Sequence, residues 1–368
     1  MSPSRKGSAF VVAAFGVVAV SATAAMATAK HANADPIKAA WIYVGPKTDG
    51  GWSQAHDAGR LFVEKQLGAK VKTTYKENVP EGPQVGQVIE SLVRDGNKII
   101  FATSFGYQDA MLAAAKKHPD VKFEQATGYK TSANLAEYFG AGEESIYLSG
   151  MAAGAATKKN TIGYITPFPI PEVVRHANAF ALGAQAINPA VKVKIIWTKS
   201  WFDPAKERKA AESLIGAGAD VIGQNVDSPN AGVVSEKKGV PWVGYDSDAS
   251  KSAPNSWLTA AVYNWGPYYA KRVQAAIDGT WKTGSYYGNI KDGFTDIAPF
   301  GKGVSAATRA KIKAKRAAII SGQANVIYQG PIRDQAGKIR IATGKRPTLG
   351  DILGQDWFVK GVVGNPKG

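Results

Sequence analysis

Carboxylates and aromatic rings recur together along this chain, each time just past a short apolar run. Asp49 and Trp52 sit in Gly45-Pro46-Lys47-Thr48-Asp49-Gly50-Gly51-Trp52-Ser53-Gln54. Rings, acids or both return in Ser104-Phe105-Gly106-Tyr107-Gln108-Asp109, Ser200-Trp201-Phe202-Asp203, Asn225-Val226-Asp227-Ser228-Pro229 and Tyr245-Asp246-Ser247-Asp248. Tyr263-Asn264-Trp265 follows later. One ring at one such place is ordinary core packing, whereas rings and acids at five or six places point to a site. Paired rings can sandwich a planar molecule, at about 1–3 kcal/mol per stacked base. A neighbouring carboxylate then accepts ring N–H groups in charge-assisted hydrogen bonds. The chemistry on offer is capture of a planar heterocycle with N–H donors, and His56, one helical turn beyond Trp52, could add a contact.

Catalysis is poorly provided for. The sequence has 0 cysteines, which removes a thiol nucleophile and a cysteine-based metal site. It has neither a GxSxG nor an HExxH pattern, and the glycine-rich turn at 45–54 is neither a Walker loop nor GxGxxG. Its 4 histidines are scattered without metal-ligand spacing. Asp246 and Asp248 suit ligand binding or capping better than acid–base work. The expectation is a binding protein without metal or cofactor, not an enzyme.

The elements that must position these residues alternate regularly. Lys38–Val44, Val71–Tyr75, Lys98–Thr103 and Val121–Ala126 read as strands, separated by helices at Trp52–Gln66, Val85–Arg94 and Gln108–Lys117. The second half repeats the scheme, with strands at Ile162–Ile165, Val191–Trp197, Val221–Gln224 and Trp242–Tyr245. Helices fit at Glu172–Ala186, Ala205–Ile215, Asn230–Lys237 and Tyr268–Ile277. Short apolar strands joined by helices imply parallel sheets covered on both faces. In such sheets ligands bind beyond the carboxyl ends of strands, where the rings and acids fall. Glu90-Ser91-Leu92-Val93 with Gly96 and Ile99-Ile100 is echoed at the same spacing by Glu212-Ser213-Leu214-Ile215 with Gly218 and Val221-Ile222. That echo favours two related α/β lobes.

The N-terminus carries Arg5 and Lys6, an apolar run from Ser8 to Val20, and Ala32-Asn33-Ala34 before Asp35. This is the layout of a secretory signal peptide cleaved after Ala34, too short to span a bilayer comfortably. Without cysteine the mature protein is expected to be periplasmic and not lipid-anchored. Cleavage takes the net charge from +16 to +13, because Arg5, Lys6 and Lys30 leave with no acid. The densest basic run, Arg309 to Arg316, reads as a solvated helix face, so no nucleic-acid partner is expected.

Several ordered segments together are similar to the basic membrane protein family of bacterial substrate-binding proteins, whose members include purine nucleoside binders. They are the 48–54 turn, Asn134-Leu135-Ala136 with Glu143-Glu144 and Gly150-Met151-Ala152-Ala153-Gly154, Gly163-Tyr164-Ile165 leading to Arg175, Ser200-Trp201-Phe202-Asp203-Pro204-Ala205-Lys206, Gly218-Ala219-Asp220-Val221-Ile222 and Gly244-Tyr245-Asp246-Ser247-Asp248. The resemblance runs from about Lys38 to about Lys360. It implies two Rossmann-like lobes with parallel sheets in the type I periplasmic binding protein architecture, with a hinge between the lobes. The expected first lobe is 35–158 plus about 264–298, and the second is 159–263 plus about 299–368. It also implies a monomer that hands a small molecule to an ABC transporter permease, the alternative being a sensor that feeds a signalling receptor. By resemblance Trp201 and Trp52 stack on the ligand, Asp246 holds its ring, and Asp49 and Asp227-Ser228 meet a ribose. Three positions depart from the family pattern. Thr48 replaces an aspartate, Asp57 replaces a stacking aromatic, and Tyr263 stands for a ribose-contacting lysine. The expected ligand is therefore a free nucleobase rather than a nucleoside, or a non-purine heterocycle. Phe105, Phe202 and Trp265 complete the candidate lining.

Overall fold

The computed structural model describes residues 35–322 and 327–368, so the expected signal peptide lies outside the described residues. The first run is β1 (Ile37–Ile42), α1 (Trp52–Leu67), β2 (Val71–Lys76), α2 (Gln84–Arg94), β3 (Ile99–Ala102), α3 (Gln108–Lys117), β4 (Lys122–Ala126) and β5 (Leu135–Gly140). After α4 (Gly142–Ala156) come β6 (Thr161–Thr166), α5 (Pro171–Ile187), β7 (Lys192–Trp197), α6 (Pro204–Gly216), β8 (Val221–Gln224), α7 (Asn230–Lys238), β9 (Trp242–Asp246) and β10 (Trp257–Tyr263). The chain ends with α8 (Trp265–Ile277), β11 (Ser285–Gly288), β12 (Thr295–Ile297), α9 (Ala306–Ile320), β13 (Ile332–Arg333), β14 (Ile339–Ile341), α10 (Leu349–Leu353) and β15 (Val362–Val363).

Both sheets are doubly wound. The first runs β11-β5-β4-β3-β1-β2 and the second β12-β10-β9-β8-β6-β7-β15. Each contains the same order, its second strand beside its first and its first beside its third, with β2 at the edge of one sheet and β7 followed only by β15 in the other. The point where that order reverses opens a crevice at the strand carboxyl ends. β1 shows why the central strands carry apolar residues on both faces. Trp41 packs into one core with Phe101, its register partner on β3, while Ala40 and Ile42 pack into another on the opposite face. Helices on both faces bury the central strands β3, β8 and β9 along their whole length.

The sequence echo is structural. Gly96 and Gly218 both take positive φ, 85° and 93°. Their N–H groups donate to Val93 and Ile215, and the next residues donate to Leu92 and Leu214. The same helix exit thus feeds the third strand of each sheet, and only glycine takes that left-handed turn cheaply. Asp203 caps α6 by accepting from the amides of Ala205 and Lys206 at 3.1 and 3.0 Å, with Pro204 in the first turn.

The chain crosses between the sheets three times, through α4, through α8 and between β11 and β12. β11 pairs in parallel with β5, but β12 lies antiparallel to β10. The return expected over 264–298 therefore ends before Thr295 in the sheets, because Thr295–Ile297 spends its backbone hydrogen bonds on β10. The basic run lies on α9, whose one buried residue is Ile312. The C-terminal arm adds β15 beside β7 and docks on α5, where Asn178 donates 2.8 Å hydrogen bonds to Gln355 and to the Trp357 carbonyl.

Candidate ligand-binding site

The strand ends of the two lobes converge on one small cavity of about 20 Å³. Val44, Trp52, Ser104, Phe105 and Thr127 line it from the first lobe, and Glu172, Trp201, Asp227 and Tyr245 from the second. They follow or end β1, β3, β4, β6, β7, β8 and β9. That space holds about one water, because the lobes are closed upon each other. Ser247 Oγ donates to the Gly50 carbonyl at 2.5 Å across the cleft. Gly51 lies so near the second lobe that a Cβ there would stand 2.0 Å from the Asp227 carbonyl oxygen.

Polar groups around this cavity lack partners. Asp227 Oδ2, both carboxylate oxygens of Asp246, and the Trp201 indole N–H are buried without a hydrogen bond. Burying such groups unpaired costs about 1–3 kcal/mol each. Burial pushes the Asp246 carboxyl well above the usual carboxylate range, and the charges of Asp49 and Glu172 add to the effect. Asp227 is raised in the same way, first by burial and then by Asp246 and Asp49. Burial also lifts Glu172 and Glu207 to about 7. Asp246 further sits at φ 68°, a left-handed conformation that is strained for a residue with a side chain. The acceptors, the lone indole donor and the strain share one place, and a molecule bearing both N–H donors and an acceptor would satisfy the set.

Of the sequence-predicted residues, Trp52, Phe105, Trp201 and Asp227 line the cavity. The Trp52 ring is fixed by its indole N–H, which donates to the Thr103 carbonyl at 2.7 Å. Asp246 does not line the cavity but lies within electrostatic reach of Asp227. Asp49 uses both oxygens on the turn itself, accepting from the amides of Gly51, Ser53 and Gln54. Phe202 lies over the first-lobe turn, 3.6 Å from where a Gly45 Cβ would be. The structure does not bring His56 and Trp265 to the cavity. They stack at 4.2 Å inside the first lobe, with His56 Nδ1 2.6 Å from the Tyr269 hydroxyl. Tyr263 stands beside them, its ring 5.0 Å from Trp265 and its hydroxyl 3.2 Å from that of Tyr245. Asp57 has a structural use, accepting from Arg60 at 2.6 Å and Tyr43 at 3.1 Å. Ser104 and Tyr245 stood in the strand-end segments without being singled out, and sequence reasoning missed Val44, Thr127 and Glu172. All but Glu172 could have been found by applying the strand-end rule to every strand.

Residues 37–329 match the Bmp family, described as ABC transporter substrate-binding protein, PnrA-like. The chain belongs to the Bmp family. It is 43% identical over 334 residues to a purine-binding protein of Brucella abortus, covering 89% of this chain and 93% of that one. It is also 37% identical over 295 residues to a Haloferax volcanii protein named for ABC-transporter glucose binding, covering 80% and 75%. A solute-binding protein of an ABC transporter system from Conexibacter woesei superposes with a TM-score of 0.65 at 20% identity, covering 78% of this chain and 97% of that one. This likeness carries the fold. As a Bmp protein, the chain is a non-catalytic substrate-binding component of an ABC transporter that acts outside the cytoplasm with a permease partner. Among the described residues no group of His, Asp and Glu is placed to hold a metal ion, and no helix is long and apolar enough to cross a membrane.

Proposed function

We propose that this Bmp protein captures a purine-like heterocycle between its lobes and binds the free base more tightly than the nucleoside. The observation that carries this reading is the set of unpartnered buried groups on the second lobe. The Asp227 and Asp246 oxygens are acceptors and the Trp201 indole N–H is a donor, around a cavity that also contains Trp52. A purine edge offers the matching donors and acceptors, and its faces suit the two indole rings. Preference for the base is supported by Asp49, whose oxygens are already engaged by backbone amides, and by Tyr263, a phenol where the family resemblance implies a lysine. The mature protein would be a monomer released by cleavage near Ala34. The Brucella abortus relative's name supports a purine, whereas the Haloferax volcanii relative's name supports a sugar, so both belong in the test.

Calorimetric titration with adenine, adenosine and glucose decides between them. The expected order is adenine first, with adenosine at least tenfold weaker and glucose without effect. Tighter binding of adenosine would overturn the free-base preference, and binding of glucose alone would overturn the heterocycle. Trp201 is only half-buried and stands on a loop beside Phe168, at a ring distance of 5.3 Å. Trp201→Ala should therefore weaken adenine binding at least tenfold, about 1.4 kcal/mol, with an unchanged far-ultraviolet circular dichroism spectrum. Unchanged affinity would remove Trp201 from the site.

A further inference from the structure

We propose that the cleft cavity continues into a second compartment, and that the two together accept a purine base carrying an apolar substituent on its exocyclic nitrogen. The inference rests on the heterocycle reading above and extends it to the class of ligand. Beside the cleft cavity lies a chamber of about 550 Å³, and Phe105, Thr127 and Glu172 line both. The cleft cavity is small, about 20 Å³, while the chamber falls within the roughly 300–1,000 Å³ typical of small-molecule pockets.

The chamber is walled largely by carbon. Tyr138 and Phe139 of β5 and Tyr286 and Tyr287 of β11 form one side. Leu349 and Leu353 of α10 contribute from the C-terminal arm, and they are 49% and 37% exposed. Large aliphatic side chains left in water next to aromatic rings mark a surface that an apolar group can cover. α10 is held in place by a capping box between Thr348 and Asp351. It lies past residue 329, where the Bmp match ends, so this part of the wall is supplied by a segment outside the family core.

The junction carries the second observation. Thr127 Oγ1 is buried without a hydrogen-bond partner, and its backbone is held at φ 56°. An exocyclic amine bearing one substituent keeps a single N–H, which lies between ring and substituent. At the junction of the two compartments that N–H would meet Thr127 Oγ1, with the Glu172 carboxyl beside it. Glu137 Oε2 and Arg175 Nε also make no hydrogen bond among the chamber residues, the latter standing 3.7 Å from Glu143 Oε2 in an ion pair. They suit a hydroxyl at the end of the substituent, but they do not outweigh the aromatic and leucine surface.

The test is calorimetric titration of the purified protein with adenine, N6-benzyladenine and adenosine, repeated on Leu353→Arg and Thr127→Val. N6-benzyladenine is expected to bind at least tenfold tighter than adenine. The ratio of the two affinities should fall to near one in Leu353→Arg and drop severalfold in Thr127→Val, with melting curves confirming that both variants fold. Adenine binding without a benzyl gain overturns the chamber and leaves the heterocycle reading standing. So does a gain that persists in Leu353→Arg, or a gain for adenosine in place of the benzyl compound, which would make the chamber a sugar compartment. No binding by adenine or N6-benzyladenine overturns both.

Discussion

Gly51→Ala should hold the cleft open and weaken ligand binding by about three orders of magnitude. In the closed form a Cβ at this position would stand 2.0 Å from the Asp227 carbonyl oxygen and 2.8 Å from its carbon. Ordinary contacts of this kind exceed 3 Å, and the obstacle is backbone that no rotamer change can move. The lobes must therefore separate by more than 1 Å at the point where the ligand needs both. A micromolar site is worth about −8 kcal/mol and a millimolar site about −4 kcal/mol. Losing one lobe's half of the contacts spans that interval. The clash exists only between lobes, so each lobe keeps its core. Ser247→Ala provides a graded comparison. It removes one cross-cleft hydrogen bond of 2.5 Å, worth about 1 kcal/mol, and should cost roughly fivefold. X-ray scattering should show wild-type compaction by ligand and none in Gly51→Ala. A variant that still compacts and binds like wild type would show that the closed contact is not required for capture.

The architecture was largely legible because its signals are local. Apolar runs, helix periodicity and the Gly96/Gly218 echo each involve residues a few positions apart, and each reappears as a strand, a helix or a matched helix exit. Asp203-Pro204 likewise became a working cap. The site was legible only in part. The strand-end rule led to Trp52, Phe105, Trp201 and Asp227, all on one cavity. It gave no means of separating a ring that faces the cleft from one that faces the neighbouring helix. Trp52 and His56 share a face of α1 at a spacing of four, and so do Trp265 and Tyr269 on α8. Two such pairs facing one another make helix packing, with His56 stacked on Trp265. Burial then holds the His56 imidazole well below its ordinary pKa, as expected of a neutral core residue. Glu172 lies at the start of α5, after a loop rich in proline, where no periodicity marks it. The C-terminal arm was illegible for a different reason. Its docking depends on pairs such as Asn178 and Gln355, 177 positions apart, and such pairing leaves no local signature.

Asp246→Asn should raise the stability of the ligand-free protein while weakening its hold on ligand. Asp246 is fully buried, and neither oxygen accepts a hydrogen bond. Burial first, then Asp49 and Glu172, push its carboxyl well above the ordinary range. A carboxyl raised in the folded state binds its proton more tightly there than in the unfolded chain. Its contribution is greatest below the unfolded value of about 3.9 and is lost as pH rises toward the folded value. Glu172 and Glu207, both near 7, lose theirs as pH rises toward that value, and the raised Asp227–Asp246 pair adds to the loss. The ligand-free protein should therefore melt at a lower temperature at pH 8 than at pH 5. Asparagine keeps the volume, tolerates the left-handed backbone and has no charge to bury. The variant should gain about 2–4 °C in Tm at pH 8 and lose much of the slope with pH. Its cost falls on ligand. A hydrogen bond to a charged acceptor is worth about 1.5–3 kcal/mol, so affinity should drop roughly tenfold to a hundredfold. Ligand N–H groups favour the ionised carboxyl, so wild-type binding should also release protons and tighten as pH rises. Titrations in buffers of different ionisation enthalpy measure that release. A wild-type melting temperature flat between pH 5 and pH 8, together with proton-neutral binding, would mean that these carboxyls are not what the ligand comes to satisfy.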